Sequence, residues 1–406
     1  MVKIAVLGYG TVGSGVVQVL NTNQELIDKK SGTEVRVKYV LDLRDFPGDP
    51  IQDKIVHDFN VILNDPEVQV VVEVMGGLKP AYDFTKAALE AGKSVCTSNK
   101  ELVAAHGSEL LDIARSKNVN YLFEASCGGG IPIIRPLNSS LTADDIDEIS
   151  GILNGTTNYI LTEMTEKGAD FADALKEAQE LGYAERNPEA DVEGYDPCRK
   201  IAILSSLAYG KTVHYEDVYT EGITKVSPED ILYAKKLKMA VKLLASGHKV
   251  TNGDKTNYYA MVAPFLVDKH HPLYSVNGVF NAVFVHGNML GDAMFYGSGA
   301  GSLPTASAVV GDVVDAVRHG NRNISIFWDS EKLELSPNDT ATRPFFLRVP
   351  ASRKEEAEKL FNAEKTITID TLPNEVGIVT GILTEKEFAD RSETFGDVIS
   401  RIRINQ

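Results

Sequence analysis

Short apolar runs and helical periodicities take turns along the first third of the chain. Residues 2–7 form an apolar-rich run, as expected of a strand buried on both faces, and it ends directly in glycine. A helical pattern follows over 11–20. Further β-rich runs lie at 35–41, 69–74, 94–97 and 120–125, with helical patterns at 82–91 and 101–117. Strands alternating with helices need crossover connections, so residues 1–136 are expected to form a doubly wound α/β domain around a parallel sheet.

Beyond residue 136 the rhythm changes. A strand is expected at 147–153 and helices at 158–167 and 172–181. An acidic, turn-rich stretch (185–195) then leads into another helix. A helix is expected at 235–247, and antiparallel strands at 250–265 and 277–286. Residues 137–320 therefore read as an α+β domain, whose long apolar helix (305–318), after the glycine-rich 297–301, is expected to pack back onto the first domain. A polar linker (321–340) precedes a small α+β module, 341–406, patterned strand, helix, strand, helix, strand.

Composition narrows the class. The chain has 406 residues and 41 − 57 = −16 formal charges, which argues against a nucleic-acid partner, since phosphate binding needs clustered Lys and Arg. No apolar run approaches the roughly 18 residues of a membrane helix, and the first residues do not pattern as a signal peptide. Three scattered cysteines fit neither a disulfide framework nor a zinc site, so a cytoplasmic setting is expected.

Two constellations carry chemistry. Gly8-Tyr9-Gly10-Thr11-Val12-Gly13 fits G-x-G-x-x-G with a strand before it and a helix after it. Gly8 permits the tight turn, Gly10 lets the backbone approach a pyrophosphate, and Gly13 allows helix to pack on strand. Thr11 and Val12, at the helix start, offer N–H donors and the positive dipole end. After the second strand, Asp42 suits a ribose 2′-hydroxyl and so NAD, whereas Arg44 suits a 2′-phosphate and so NADP; the sequence leaves both open.

The second constellation is the acidic segment. Asp196-Pro197 reads as N-cap and N1 of a helix. Lys200 then falls in the first turn, where the helix dipole disfavours a cation. Such a local misfit marks a functional position, and a lysine held out of water there suits proton transfer.

The motifs G-I-L-N-G-T-T-N-Y-I-L (151–161) and G-Y-A-E … A-D-V-E-G-Y-D-x-x-R-K (182–200) resemble homoserine dehydrogenase. So do V-V-E-V-M-G-G (71–77), T-S-N-K-E (97–101) and G-S-G-A-G-S-L-P-T-A-S-A (297–308), and the resemblance covers about residues 1–320. It implies reversible NAD- or NADP-dependent interconversion of L-homoserine and L-aspartate 4-semialdehyde, on the route to threonine, methionine and isoleucine. It also implies that Lys200 transfers the proton, that Glu185 and Asp196 bind substrate, and that Lys100 lies beside nicotinamide and substrate. Gly182 and Gly301 would make backbone contacts to the cofactor. Ser98, where the family often has Ala, stands in the same turn as Lys100. Glu124 and the carbonyls of Cys127, Gly129 and Ile131 resemble a sodium loop, and a homodimer or homotetramer is expected.

The chain departs from the family at Leu41, where many members carry Arg before Asp42, and at Asn187, where Asp is common. The last module resembles a shortened ACT domain that lacks the turn where effectors bind, so a structural or dimer-stabilising use is expected. Two other readings stand beside the main one: a related dehydrogenase of another small amino or oxo acid, and a catalytically silent nucleotide-binding regulator.

Overall fold

A computed structural model describes residues 1–320 and 322–405. In chain order the first part comprises strands β1 (Val2–Leu7), β2 (Val35–Leu41), β3 (Ile55–Val56), β4 (Val68–Glu73), β5 (Ser94–Thr97) and β6 (Tyr121–Leu122). Its helices are α1 (Thr11–Thr22), α2 (Gln24–Ser31), α3 (Phe59–Leu63), α4 (Ala81–Glu90), α5 (Lys100–Lys117), α6 (Ala125–Gly128) and α7 (Ile134–Ser139). The middle holds β7 (Ile146–Ile152), α8 (Gly155–Lys167), α9 (Phe171–Glu180), α10 (Glu189–Val192) and α11 (Tyr195–Tyr209). Then come β8 (Lys211–Thr212), β9 (Tyr219–Thr220), α12 (Pro228–Leu237), β10 (Met239–Asn252), β11 (Lys255–Asp268), β12 (Phe280–Gly287), β13 (Gly291–Ser298) and α13 (Ser302–His319). The chain closes with β14 (Asp329–Lys332), β15 (Thr342–Arg343), β16 (Phe345–Pro350), α14 (Lys354–Leu360), β17 (Ala363–Ile367), β18 (Glu375–Thr380), β19 (Leu383–Thr384), α15 (Glu385–Phe395) and β20 (Ser400–Ile404).

These elements form two compact units. The first contains residues 1–145, 202–215 and 295–333. Its parallel sheet has the order β3-β2-β1-β4-β5-β6, so the winding direction reverses between β1 and β4. In such sheets ligands bind off the carboxyl ends of the strands at that reversal. Helix α13 packs on α1 at Gly15, where a Cβ would stand 2.6 Å from the Ser302 hydroxyl. Trp328 is buried against Gly107 of α5, and its Nε1 donates to Thr212 Oγ1 at 2.9 Å.

The second unit contains residues 146–201, 216–294 and 334–406. Its strands follow the order β13-β12-β7-β10-β11-β20-β16-β18-β17, with β9 pairing β11. Phe345, Phe361 and Phe388 lie in the core of the last sixty or so residues, which run βαββαβ with local strand order β20-β16-β18-β17.

The structure differs from the sequence reading at particular places. Of the helix expected at 235–247, only 235–237, the end of α12, are helical. α12 starts at a Ser227/Asp230 capping box and stops at Lys238, which is left-handed (φ 62°), and β10 follows. Pairing of β10 with both β11 and β7 overrides the helical propensity of this Lys-, Leu- and Ala-rich segment. The run at 120–125 is a strand only at Tyr121–Leu122, because Ala125–Gly128 turns helical. Of the linker expected at 321–340, residue 321 lies outside the described residues, and 322–340 carry β14 and the buried Trp328 and Leu333. Leaving aside the two-residue β15 and β19, the C-terminal stretch has one strand more among the described residues than its pattern shows. Its β20 joins β11, so it continues the central sheet instead of standing as a separate module. No helix among the described residues is long and apolar enough to cross a membrane.

Candidate active site

The glycine turn after β1 is built for close approach. Gly8 has φ +95°, and a Cβ on Gly13 would lie 1.9 Å from the Gly8 carbonyl oxygen, so only glycine closes this turn. A Cβ on Gly10 would meet nothing within 4 Å, which leaves open space beside the backbone where α1 begins. Thr11 is exposed and Val12 half-buried in the first turn of α1, where N–H groups have no partner within the helix. The Thr11 carbonyl accepts the Ser302 hydroxyl at 2.6 Å, which brings Gly301, the N-cap of α13 (φ +109°), to the same turn.

Asp42 reaches this turn from β2. It accepts the Tyr9 N–H at 2.8 Å and is gripped by Arg44, whose Nε and Nη2 each donate at 3.0 Å. The guanidinium holds the Asp42 carboxyl far below the usual carboxylate range. The two side chains that separately suggested NAD and NADP thus answer one another.

At the ends of β4 and β5, Asn99 caps α5 by accepting the Leu102 N–H at 3.2 Å, and half-buried Lys100 is the helix's first residue. This is a cation placed against a helix dipole. Ser98 is half-buried next to it.

The glycine-rich segment after β6 is packed tightly. Gly129 has φ +57°, and a Cβ there would lie 2.3 Å from the Gly299 carbonyl. The Glu124 carboxylate is committed to the protein. It accepts the N–H groups of Ile133 (2.5 Å), Ile134 (2.9 Å) and Arg135 (2.7 Å), an anion seated at the start of α7. Oxygens for a cation would therefore have to come from carbonyls, those of Glu124, Cys127, Gly129 and Ile131. Backbone oxygens suit a hard monovalent ion.

The acidic segment folds onto α8. Asn154 caps α8 through its Oδ1, which accepts the Thr157 N–H at 2.9 Å. Its Nδ2 donates to Asp191 Oδ1 at 2.7 Å and to Asp196 Oδ2 at 2.9 Å. Lys200, 8% exposed, donates from Nζ to the Leu153 carbonyl and to Asp196 Oδ2, both at 2.7 Å. Burial, with Asp196 adding to it, raises the Asp191 carboxyl. Thr156 ties in the next turn by donating to the Tyr183 carbonyl at 2.7 Å. Beside it lie Gly182 (φ +76°) and exposed Glu185. Asp196 is not the N-cap expected of it: α11 begins one residue earlier, at Tyr195. Its carboxylate pairs with Lys200 one turn along. Asp191 and the second role of Asn154 were not singled out from sequence, where the dense polar run at 154–158 reads as a simple cap.

Two carboxylates against one ammonium leave this cluster net negative. The comparisons place the chain in a family. The family model "Homoserine dehydrogenase, NAD binding domain" matches residues 8–124, and "Homoserine dehydrogenase" matches 132–314. Homoserine dehydrogenase of Bacillus subtilis is 38% identical over 98% of this chain and 95% of its own. The Synechocystis enzyme is 48% identical over 78% of this chain and 73% of its own. Among solved structures, the Thiobacillus denitrificans homoserine dehydrogenase aligns over 100% of this chain and 98% of its own, with TM-score 0.90 at 34% identity. A hyperthermophilic archaeal homoserine dehydrogenase in complex with NADPH covers 78% of this chain and 97% of its own, with TM-score 0.65 at 29% identity. The chain belongs to the homoserine dehydrogenase family, a family of nicotinamide-dependent oxidoreductases.

Proposed function

We propose that the chain interconverts L-homoserine and L-aspartate 4-semialdehyde with Lys200 as proton donor and acceptor. The carrying observation is the Lys200 amine, buried and aimed by two 2.7 Å bonds to Leu153 and Asp196 in a net-negative cluster. The nicotinamide cofactor, when bound, takes or gives the hydride. As hydride leaves the carbinol carbon, the hydroxyl proton must go to a base, and Lys200 receives it; in the reverse direction Lys200 returns it to the carbonyl oxygen. The bonds to Leu153 and Asp196 orient the amine for that exchange. Asp196, Asp191 and Glu185 draw the substrate ammonium, while Lys100 answers the substrate carboxylate or the reacting oxygen.

Gly8, Gly10, Gly13 and the first N–H groups of α1 hold the pyrophosphate, with Gly182 and Gly301 adding backbone contacts. Asp42 faces the ribose, and exposed Arg44 can turn from it to a 2′-phosphate, so both cofactors are accepted. The Glu124, Cys127, Gly129 and Ile131 carbonyls hold a sodium ion, and the enzyme works in the cytoplasm as a homodimer or homotetramer. The test is homoserine-dependent reduction of NAD and NADP followed by absorbance, alongside a panel of other small hydroxy and amino acids. Turnover of another acid with none of homoserine would overturn the substrate assignment, and silence on all of them would favour a regulator.

A further inference from the structure

Glu73 is the last residue of β4, a strand paired on both edges, with β1 and β5, and buried from Val70 to Glu73. It is fully buried. An apolar residue would fill that place without the desolvation that a carboxylate suffers there, and burial does push the Glu73 carboxyl above its ordinary range. What it receives in return is a set of donors from two different turns. Thr97 Oγ1 donates to Oε2 at 2.7 Å and the Met75 N–H to Oε1 at 2.8 Å, while the Gly76 N–H and the Asn99 side chain lie close enough to favour its charge.

The bonds continue outward and close on themselves. The Thr97 hydroxyl accepts the Asn99 N–H at 2.9 Å, and Asn99 Nδ2 donates to the Gly77 carbonyl at 2.6 Å. Residues 75–77 thus leave Glu73 and return to it through Asn99 and Thr97. The same loop abuts the glycine turn: a Cβ on Gly8 would stand 3.2 Å from Met75 Cγ, and the Val74 N–H donates to Leu7. One carboxylate therefore gathers the chain ends that leave β4 and β5, beside the end of β1, on the ligand-binding edge of the sheet.

We propose that Glu73 is a positioning residue, which fixes Ser98 and Lys100 relative to the nicotinamide end of the cofactor by locking the 74–77 and 97–100 turns together. This rests on the reading of Lys100 given above. Gln in its place keeps the shape but sets an N–H against the donors of Met75 or Thr97, and Val at Thr97 cuts the ring while leaving Glu73 intact.

The experiment compares Glu73→Gln, Thr97→Val and Thr97→Ser with the parent chain. It measures dissociation constants of NADH and NADPH by fluorescence, kcat and KM with homoserine, and thermal midpoint. Glu73→Gln and Thr97→Val are each expected to lower kcat or weaken cofactor binding about tenfold or more, since a small misplacement of reacting groups is costly. Thr97→Ser, which keeps the hydroxyl, is expected to stay within about twofold. The Glu73→Gln/Thr97→Val pair is expected to be far from additive because both act on one ring. A lowered thermal midpoint with kcat and both cofactor constants unchanged would reduce Glu73 to a core residue and overturn the proposal. Lys100→Met separates the two claims. Normal turnover there with weakened cofactor binding in Glu73→Gln removes Lys100 from the reaction and leaves Glu73 in place. Crippled Lys100→Met beside a normal Glu73→Gln does the reverse.

Discussion

Lys200→Met is the most direct perturbation, because its two consequences differ enough in size to be told apart. The change removes the buried amine that the Leu153 carbonyl and Asp196 Oδ2 each meet at 2.7 Å. Taking one member from a buried ion pair costs about 3–5 kcal/mol. Asp196 keeps the Asn154 amide at 2.9 Å, so the low end, about 3 kcal/mol, applies. From a typical stability of at least about 5 kcal/mol this leaves about 2 kcal/mol, or about 97% folded protein. Unfolding therefore removes only a few per cent of activity. Loss of a positioned proton-transfer group instead lowers kcat by about 10²–10⁴. The expected result is a kcat fall in that range, with KM for homoserine steady or lower because the site becomes more negative. Lys200→Arg keeps the charge and cannot exchange a proton at neutral pH, so it should fail as well. Steady-state rates with NAD and NADP, read against circular dichroism, make the check. A Lys200→Met enzyme with kcat within about threefold of the parent would refute the reasoning, because no general acid–base role is worth so little.

Arg44→Ala is expected to raise KM for NADPH by about tenfold or more, a charge-assisted bond being worth about 1.5–3 kcal/mol, with much less effect on NADH; equal shifts for both cofactors would count against Arg44 as the phosphate partner. In Gly107→Ala the new Cβ would lie 2.6 Å from Trp328 Cη2. Overpacking at about 1–3 kcal/mol outweighs the roughly 1 kcal/mol that helix propensity returns. The thermal midpoint should fall and the emission of Trp328, the chain's one tryptophan, should shift; a higher midpoint with an unchanged spectrum would sink this. The carboxyl of Asp312 is pushed up to about 7 by burial, with Glu124 adding to it against the pull of Arg135. Between an unfolded pKa of about 3.9 and that value the native state binds the extra proton, so stability declines as pH climbs through this window. Asp312→Asn should flatten the decline of the unfolding midpoint between about pH 4 and pH 7, and identical slopes for the two proteins would contradict it.

The first unit was the most legible part of the chain, for a physical reason. Its central strands are buried on both faces, so β1, β4 and β5 read as apolar runs whose observed bounds fall within a residue or so of the expected ones. Its glycine turn is dictated locally, since Gly8 and Gly13 leave no room for a side chain. Lys200 was singled out on the expectation that Asp196 caps its helix; α11 begins at Tyr195 instead, which moves Lys200 past the first turn, and what sets it apart in the structure is its burial beside Asp196. Asn154, Asp191 and Glu73 were harder to see, because the side chains that draw them into the two networks lie 24 to 42 positions away in the chain and no local pattern records them. The segment 235–247 misled for the same reason. Its composition favours helix, while the deciding contacts are ladders with β11 and β7.

The C-terminal stretch carries this argument furthest. Its apolar pattern suggests a separate module because its own core is complete, closed by stacked Phe345 and Phe388 with Phe361 beside them. What joins it to the central sheet is polar and remote. β20 adds to β11 in parallel through two residue pairs. Arg348 donates to Ser227 (2.8 Å), Asp230 (3.0 Å) and Glu375. Arg403, 1% exposed, donates to Glu221 at 2.7 Å and to both oxygens of Glu385. Buried ion pairs of this kind add little net stability over apolar packing, yet each is costly to break from one side. The apolar cluster therefore supplies the folding energy of the stretch, while the guanidiniums fix the register in which it meets the rest of the second unit. Removing the stretch would strand Glu221 and Asp230 without their buried partners, so it is a continuation of that unit rather than an appendage to it.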